Sequence, residues 1–381
     1  MTHLIYYKKP YEMTFKAKVI KCIESEAGYC VLLDQTAFFP GGGGQPADQG
    51  ILNGLPVVKL LEEEEHIYHI VGEPLEVGQE VEGIVDAKRR RDFMQQHSGE
   101  HIVSGLIHKL YGYNNVGFSL GEEKMTADFD GVLTKEQVEE VERLANEAVY
   151  QNIPIQGKGY TQQEIETIPY RSKKRLEGII RLVDIEGYDC CACCGVHVET
   201  TGEIGIIKII TADKHRSGTR LTLLCGARAL KDYQLKNNQV YALIDKLSVK
   251  SEEVVEGVWR LAEEKEDLKQ QVAKLKRQVF ETKMAQADLQ EPLCTLEEAT
   301  PFELRLFASI WMERSTAPCL LLTCDEKGYK YALGGPSELV GGWAKTLNSQ
   351  FKGKGGGREI CQGTLEGSYE AIKEAYLKVI S

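Results

Sequence analysis

The sequence predicts an α+β multidomain protein: an N-terminal β-barrel-like domain, an α/β-sandwich core, a long helical coiled-coil segment and a small C-terminal α/β domain. Three observations carry this. Strand-like alternation dominates residues 1–85, mixed helix and strand patterns fill 86–230 and 291–381, and an apolar heptad repeat runs through 231–290. At 381 residues the chain is too long for one ordinary core.

In 1–85, Phe15–Cys22 alternates apolar and polar residues, Gly28–Leu33 does so in part, and Glu82–Val85 closes the region. Between them lies FFPGGGGQPADQG, with Gly41, Gly42, Gly43 and Gly44 in succession. Such a run costs backbone entropy in a folded domain. It suggests tight loop geometry or a backbone approaching a ligand, and on composition a flexible hairpin tip reads equally well.

Residues 86–230 open with QQHSGEHIVSGLIHKLYGY, Gln95–Tyr113. His97 and His101 are four apart, which stacks them on one face of a helix. At about 100° per residue, Met94, Ser104 and His108 share that face, while Ile102, Val103, Leu106, Ile107 and Leu110 take the other. Histidines placed only for packing would fall inside the apolar stripe. Cys193 and His197 repeat the spacing in DCCACCGVHVETTGEIG, where Gly195 suggests a turn. Thiolate with imidazole is a donor set that zinc favours. The expectation is one zinc ion per chain, held by His97, His101, Cys193 and His197. Beyond these, Val116–Asp130 reads as a hairpin and Thr134–Asn152 as a capped amphipathic helix. Gln162–Glu166 starts a short helix, and strands are expected at Ile179–Asp184, Ile204–Ile210 and Arg220–Leu224.

In 231–290, Leu247, Val254, Leu261, Leu268 and Leu275 recur every seventh residue, with Ile244, Val258, Val272 and Val279 as companions and Ser251 and Lys265 interrupting. This is a coiled-coil seam needing an apolar partner, a second chain or an earlier helix folded back; the expectation is a homodimer through 244–279. In 291–381, Pro318–Cys324 is a buried strand candidate, and Ser337–Phe351 and Ser368–Ile380 are helix candidates. Between those helices, GKGGGR sets glycine amides beside Lys354 and Arg358, a plausible phosphate cradle or a mobile loop.

Composition narrows the class. Hydrophobic residues at 42% and charged residues at 27% suit a globular protein. No apolar run approaches the ~20 residues that cross a bilayer, and the N-terminus lacks a signal-peptide layout. Eleven cysteines, four of them at Cys190, Cys191, Cys193 and Cys194, read as a reducing, cytoplasmic protein with one thiol-rich site. Net charge is −11. Yet Lys88–Arg91 and Arg171, Lys173, Lys174 and Arg175 are basic clusters that a polyanion could use, set against an acidic run at Glu62–Glu65.

Taken together, FFPGGGGQPADQG, the HxxxH of QHSGEH, CCGVHVETTGEIG, the SGTRLTLLCGAR strand and the C-terminal GKGGGR resemble the AlaX family, free-standing relatives of the alanyl-tRNA synthetase editing domain. The C-terminal part is similar to the DHHA1 domain. The resemblance implies that 86–230 is an editing core, and that a long-form member deacylates alanine tRNA mischarged with serine or glycine without charging tRNA itself. It implies Glu100 and Gln45 as candidate catalytic side chains, and Gly42, Gly43, Gly44, Ser119 and Thr126 as lining the aminoacyl pocket. Arg89, Arg90, Lys354 and Arg358 become candidates for tRNA contact. The family's motif usually has two glycines after the cysteine, whereas Cys194–Gly195–Val196 stands there in this chain. Two rivals stand. His97–His101 also fits HxxEH, a zinc protease with Glu100 as base and Glu177 as a further ligand. A zinc-stabilised RNA-binding module without catalysis is the other.

Overall fold

The computed structural model describes residues 2–64, 66–172 and 178–381. Glu65, Lys173, Lys174, Arg175 and Glu177, singled out above, lie outside the described residues. The chain divides into two compact units, 1–241 and 242–381.

Among the described residues the first unit holds four sheets, the smallest a parallel pair of His3–Leu4 with Gln35–Thr36. A seven-stranded antiparallel sheet runs, edge to edge, Leu55–Pro56, Gly50–Leu52, Glu80–Val85, Thr14–Ser25, Gly28–Leu33, His66–Val71, Lys59–Glu63. Alternation builds it: Phe15, Ala17 and Val19 are buried while Thr14, Lys16 and Lys18 face out. A four-stranded sheet follows the order Asn115–Leu120, Met125–Phe129, Gly218–Cys225, Ile207–His215. A three-stranded sheet pairs Ile155–Tyr160, Ile180–Ile185 and Asp189–Ala192. The expected strand start at Ile204 is instead a 3₁₀ turn, Thr201–Ile204, and pairing begins at Ile207. One hydrophobic core joins residues from both sides of position 85, from Ile5 and Phe15 through Phe93 and Ile107 to Cys225.

Two helices anchor this unit. Ala87–Tyr111 starts at Asp86, whose carboxylate accepts from the Arg89 amide, and stops at Gly112 in the left-handed region. The expected division into a polar histidine face and an apolar face is not an exposure difference: Gln96–Ile107 is buried all round. Lys135–Gln151 is closed by a Thr134–Gln137 capping box and by left-handed Asn152.

In the second unit, a five-stranded sheet runs Leu293–Leu296, Cys319–Asp325, Gly328–Gly334, Ile360–Leu365, Lys354–Gly356. Helices Pro301–Arg314, Val340–Gln350 and Tyr369–Ile380 pack with it around two apolar clusters. Lys354–Gly356 is thus an extended edge strand bonded to Ile360–Leu365, not the amide nest that the glycine run suggested. The heptad seam is also divided. One helix ends at Leu247, Ser248 is left-handed (φ 53°), and a second helix runs Val254–Gln286. Only Val254–Val279 therefore lies on a single helix.

Candidate metal centre

His97 and His101 are consecutive turns of the buried helix, their ring centroids 5.2 Å apart. The segment after Asp189–Ala192 brings His197 to within 4.5 Å and 4.7 Å of those rings. Cys193 Sγ lies 3.5 Å from His97 Nε2 and 3.5 Å from His197 Nε2. One ligand atom from each of the four residues falls within 4.8 Å of all the others. Tetrahedral zinc with bonds of about 2.0–2.3 Å sets its ligand atoms roughly 3.3–3.8 Å apart. The donor set fits that ion, and the two Cys193 distances of 3.5 Å fall inside that range.

The second nitrogen of each ring is held from outside. His97 Nδ1 meets Gln45 Oε1 at 2.9 Å, His101 Nδ1 meets Asp189 Oδ2 at 2.9 Å, and His197 Nδ1 meets Ser98 Oγ at 3.2 Å. A proton on each Nδ1 leaves all three Nε2 lone pairs turned inward, the tautomer that a metal requires. Asp189 is itself gripped by Arg171 Nε at 2.7 Å and Nη2 at 2.8 Å.

The electrostatics of Cys193, His197 and Asp189 agree with the geometry. At His101, burial is outweighed by Cys193 and Asp189, which hold the ring well above the ordinary imidazole range, so a metal would displace a proton there. Burial alone would raise the Cys193 thiol, but the adjacent His97 and His101 rings, with hydrogen bonds from His101 and His197, hold it well below the ordinary thiol range. Burial, with His97 alongside, pushes His197 down to about 3. Asp189 is also buried, yet His101 and Arg171 keep it below the usual carboxylate range. A thiolate and a neutral imidazole are metal-ready species.

Two loops complete the site. Gly41–Gly44 all have positive φ (93°, 149°, 61°, 88°), where side chains are strained. A Cβ on Gly42 or Gly43 would crowd Cys194 Sγ, and one on Gly44 would strike the Phe118 ring. The glycines thus let this loop lie against the cysteine loop and deliver Gln45. Gln45 Oε1 also accepts from the Val196 amide at 3.1 Å, while its buried Nε2 has no partner among the described residues. Asp48 accepts from the Phe39 amide and pairs with Arg90, bracing the same loop. On the other side, Arg181 Nη1 donates to the Cys193 and Gly195 carbonyls at 3.0 Å each, and the Tyr7 hydroxyl donates to the Cys194 carbonyl at 2.9 Å.

Other expected site residues lie elsewhere. Glu100 is buried, accepting from Ser104 and Asn115 outside the ligand cluster. Ser119 and Thr126 are cross-strand partners. They alternate with Phe118 and Ala127, so they point to the sheet face opposite the one on which Phe118 stacks against His97, ring centroids 5.1 Å apart. Arg89 pairs with Glu122. Arg90 is fully buried and turns its donors to Asp48, Ala37 and Pro10, out of reach of a phosphate. Lys354 and Arg358 are exposed. Sequence reasoning missed Asp189, Arg171, Ser98, Phe118, Tyr7 and Arg181. Asp189 and Ser98 lie inside the two stretches already marked for the ligands, and Arg171 is named only as part of a basic cluster.

Comparison with known proteins places this arrangement. Residues 180–221 match the family model described as the threonyl and alanyl tRNA synthetase second additional domain. An "Alanyl-tRNA editing protein Aarsd1-B" of Xenopus laevis is 35% identical over 240 residues, 62% of this chain and 58% of the relative. The chain therefore spans under two thirds of that relative's length. An "Alanine--tRNA ligase" of Pyrococcus furiosus is 30% identical over 99% of this chain but 43% of the ligase. An "Alanyl-tRNA editing protein AlaX-L" of Pyrococcus horikoshii is 27% identical over 401 residues, covering 99% of this chain and 98% of the relative. A match running almost end to end, together with the domain that carries Cys193 and His197, shows that this chain belongs to the AlaX family.

Proposed function

We propose that this chain is a zinc-dependent trans-editing hydrolase. Its substrate would be alanine tRNA carrying serine or glycine, and the bond broken is the ester between the wrong amino acid and the terminal ribose. The observation that carries the proposal is the convergence of His97, His101, Cys193 and His197 beside the unpartnered Nε2 of Gln45. Relatives named alanyl-tRNA editing proteins support the substrate class.

When bound, zinc would supply Lewis-acid polarisation of the ester carbonyl. The chain's own groups do the rest. Gln45 Nε2 is a buried donor poised for the acyl oxygen, and the backbone of Gly42, Gly43 and Gly44 lines the approach, with the Gly42 amide already donating to the Gln45 carbonyl. Phe118 closes the pocket beside His97. A pocket that hydrogen-bonds a serine hydroxyl leaves that partner unpaired when alanine enters, so this contact favours serine over alanine; glycine, which also lacks the hydroxyl, would have to be accepted by its smaller size. Arg89, Lys354 and Arg358 are proposed phosphate contacts, the C-terminal unit is proposed to be DHHA1-like, and the protein is proposed to act in the cytoplasm as a homodimer. No helix among the described residues is long and apolar enough to cross a membrane.

The protease reading needs Glu100 free beside the ion, whereas Ser104 and Asn115 occupy it. The deciding experiment is deacylation of seryl-, glycyl- and alanyl-tRNA by the purified protein, with metal analysis of the same sample. Hydrolysis of the first two with stoichiometric zinc is expected. Tight tRNA binding without hydrolysis would favour the non-catalytic module.

A further inference from the structure

Behind the Cys193–His197 loop lies a cavity of about 190 Å³. Tyr7, Lys8, Arg181, Val196, His197 and Glu199 line it. It shares His197 with the ligand cluster but is not lined by His97, His101 or Cys193.

The lining sets two cations, Lys8 and Arg181, against one carboxylate, Glu199. Arg181 is partly buried, its guanidinium 4.5 Å over the Tyr7 ring. One of its nitrogens, Nη1, takes both loop carbonyls. Among the described residues no carboxylate forms an ion pair with Arg181 or with Lys8. Glu62 acts on Tyr7 only at a distance. A sheltered cation without a counter-charge is costly, and a ring face returns only part of that cost. Guanidinium and ammonium together at the mouth of a small cavity suit a phosphate oxyanion. The volume is below the roughly 300–1,000 Å³ of a drug-sized site, so one group of a larger ligand enters and the remainder stays outside.

We propose that this cavity binds the phosphate of a nucleotide, with Arg181 and Lys8 as the charged contacts. On the reading given above, on which this identification rests, that nucleotide is the terminal one of the charged tRNA. Its phosphate would be held on one side of His197 while its ester lies at the metal cluster on the other. The cavity then measures how far the acceptor end enters.

The test uses the full, zinc-loaded chain and calorimetric titration with adenosine 5′-monophosphate, adenosine and inorganic phosphate. The monophosphate is expected to bind at least tenfold more tightly than adenosine and than inorganic phosphate, and to compete with mischarged tRNA. Lys8→Glu should weaken monophosphate binding at least tenfold with zinc content unchanged. Arg181→Lys keeps the charge and a donor for the loop, and should weaken it less than Arg181→Gln. Equal binding of adenosine and its monophosphate overturns the proposal. So does an unaltered affinity in Lys8→Glu, or inorganic phosphate matching the nucleotide. If the monophosphate binds in this Lys8-dependent way but no aminoacyl-tRNA is hydrolysed, the cavity assignment stands and the editing reading falls. Hydrolysis whose KM is unmoved by Lys8→Glu gives the reverse.

Discussion

Asp189 joins His101 to Arg171: its carboxylate accepts a hydrogen bond from His101 Nδ1 at 2.9 Å while two guanidinium nitrogens donate to it at 2.7 and 2.8 Å. The chain fixes the tautomer and direction of one ligand before any ion arrives. Asp189→Asn keeps the shape and removes the charge. Metal affinity should fall about 10–100-fold, the usual cost of losing such an outer partner. Chelator competition on the folded variant measures this, and an affinity within twofold of the parent would show that Asp189 only packs.

Gln45 separates metal binding from chemistry. Its Oε1 serves His97 and Val196, while Nε2 is left over. Gln45→Glu retains the acceptor and replaces the free donor with an acceptor. The turnover number should drop about 10²–10³-fold, the scale of losing one preorganised donor, with zinc retained and KM little altered. Turnover within threefold of the parent would assign Gln45 to loop architecture alone.

Arg90 and Asp48 are both buried and bonded to each other. Arg90→Met leaves the Asp48 charge buried with the Phe39 amide but no counter-charge, a situation that costs about 3–5 kcal/mol. Urea unfolding should show that loss. A surface phosphate contact would behave oppositely, weakening tRNA binding in a salt-dependent way while leaving stability intact.

His69 makes stability fall in acid. It is buried, its Nδ1 donating to the Val31 carbonyl at 3.3 Å and its Nε2 accepting from the Thr36 hydroxyl at 2.8 Å. Burial lowers it from 6.5 to about 4. The unfolded chain therefore binds the proton first as pH falls, so the folded state is favoured above pH 6.5 and loses ground between about 6.5 and 4. The full span is about 3 kcal/mol. Other groups also titrate there, so the readout is a difference: His69→Gln should unfold with a shallower stability slope across that window. Identical slopes in parent and variant would contradict the assignment.

Spacing was legible in the sequence; partnership was not. The two ligand pairs announced themselves because four-residue spacing is local. Their outer partners sit 52, 88 and 99 residues away along the chain, as Gln45–His97, His101–Asp189 and Ser98–His197. No periodicity encodes such contacts. The glycine run was read evenly as loop tip or ligand approach, and only φ values with the Cys194 and Phe118 contacts show the close approach. Arg90 was misjudged because a run of basic residues looks solvated until a buried carboxylate is placed beside one of them. The break at Ser248 was hidden because the heptad positions stay in phase across the turn between two helices.

The seam on Val254–Gln286 carries the remaining prediction. Leu261, Leu268, Leu275 and Val279 are each more than half exposed, and Val258 and Val272 are exposed with them. A heptad stripe of this length left in water is unusual for a monomer, and a second copy of the same helix would bury it by knobs-into-holes packing. Sedimentation at micromolar concentration should give a dimer. Leu261→Glu with Leu268→Glu should convert it to a monomer, since like charges would then face each other across the seam. Because the ligand cluster lies in the other unit, zinc content should be unchanged. A parent protein that sediments as a monomer at those concentrations would leave the stripe to some other partner and remove the dimer from the proposed function.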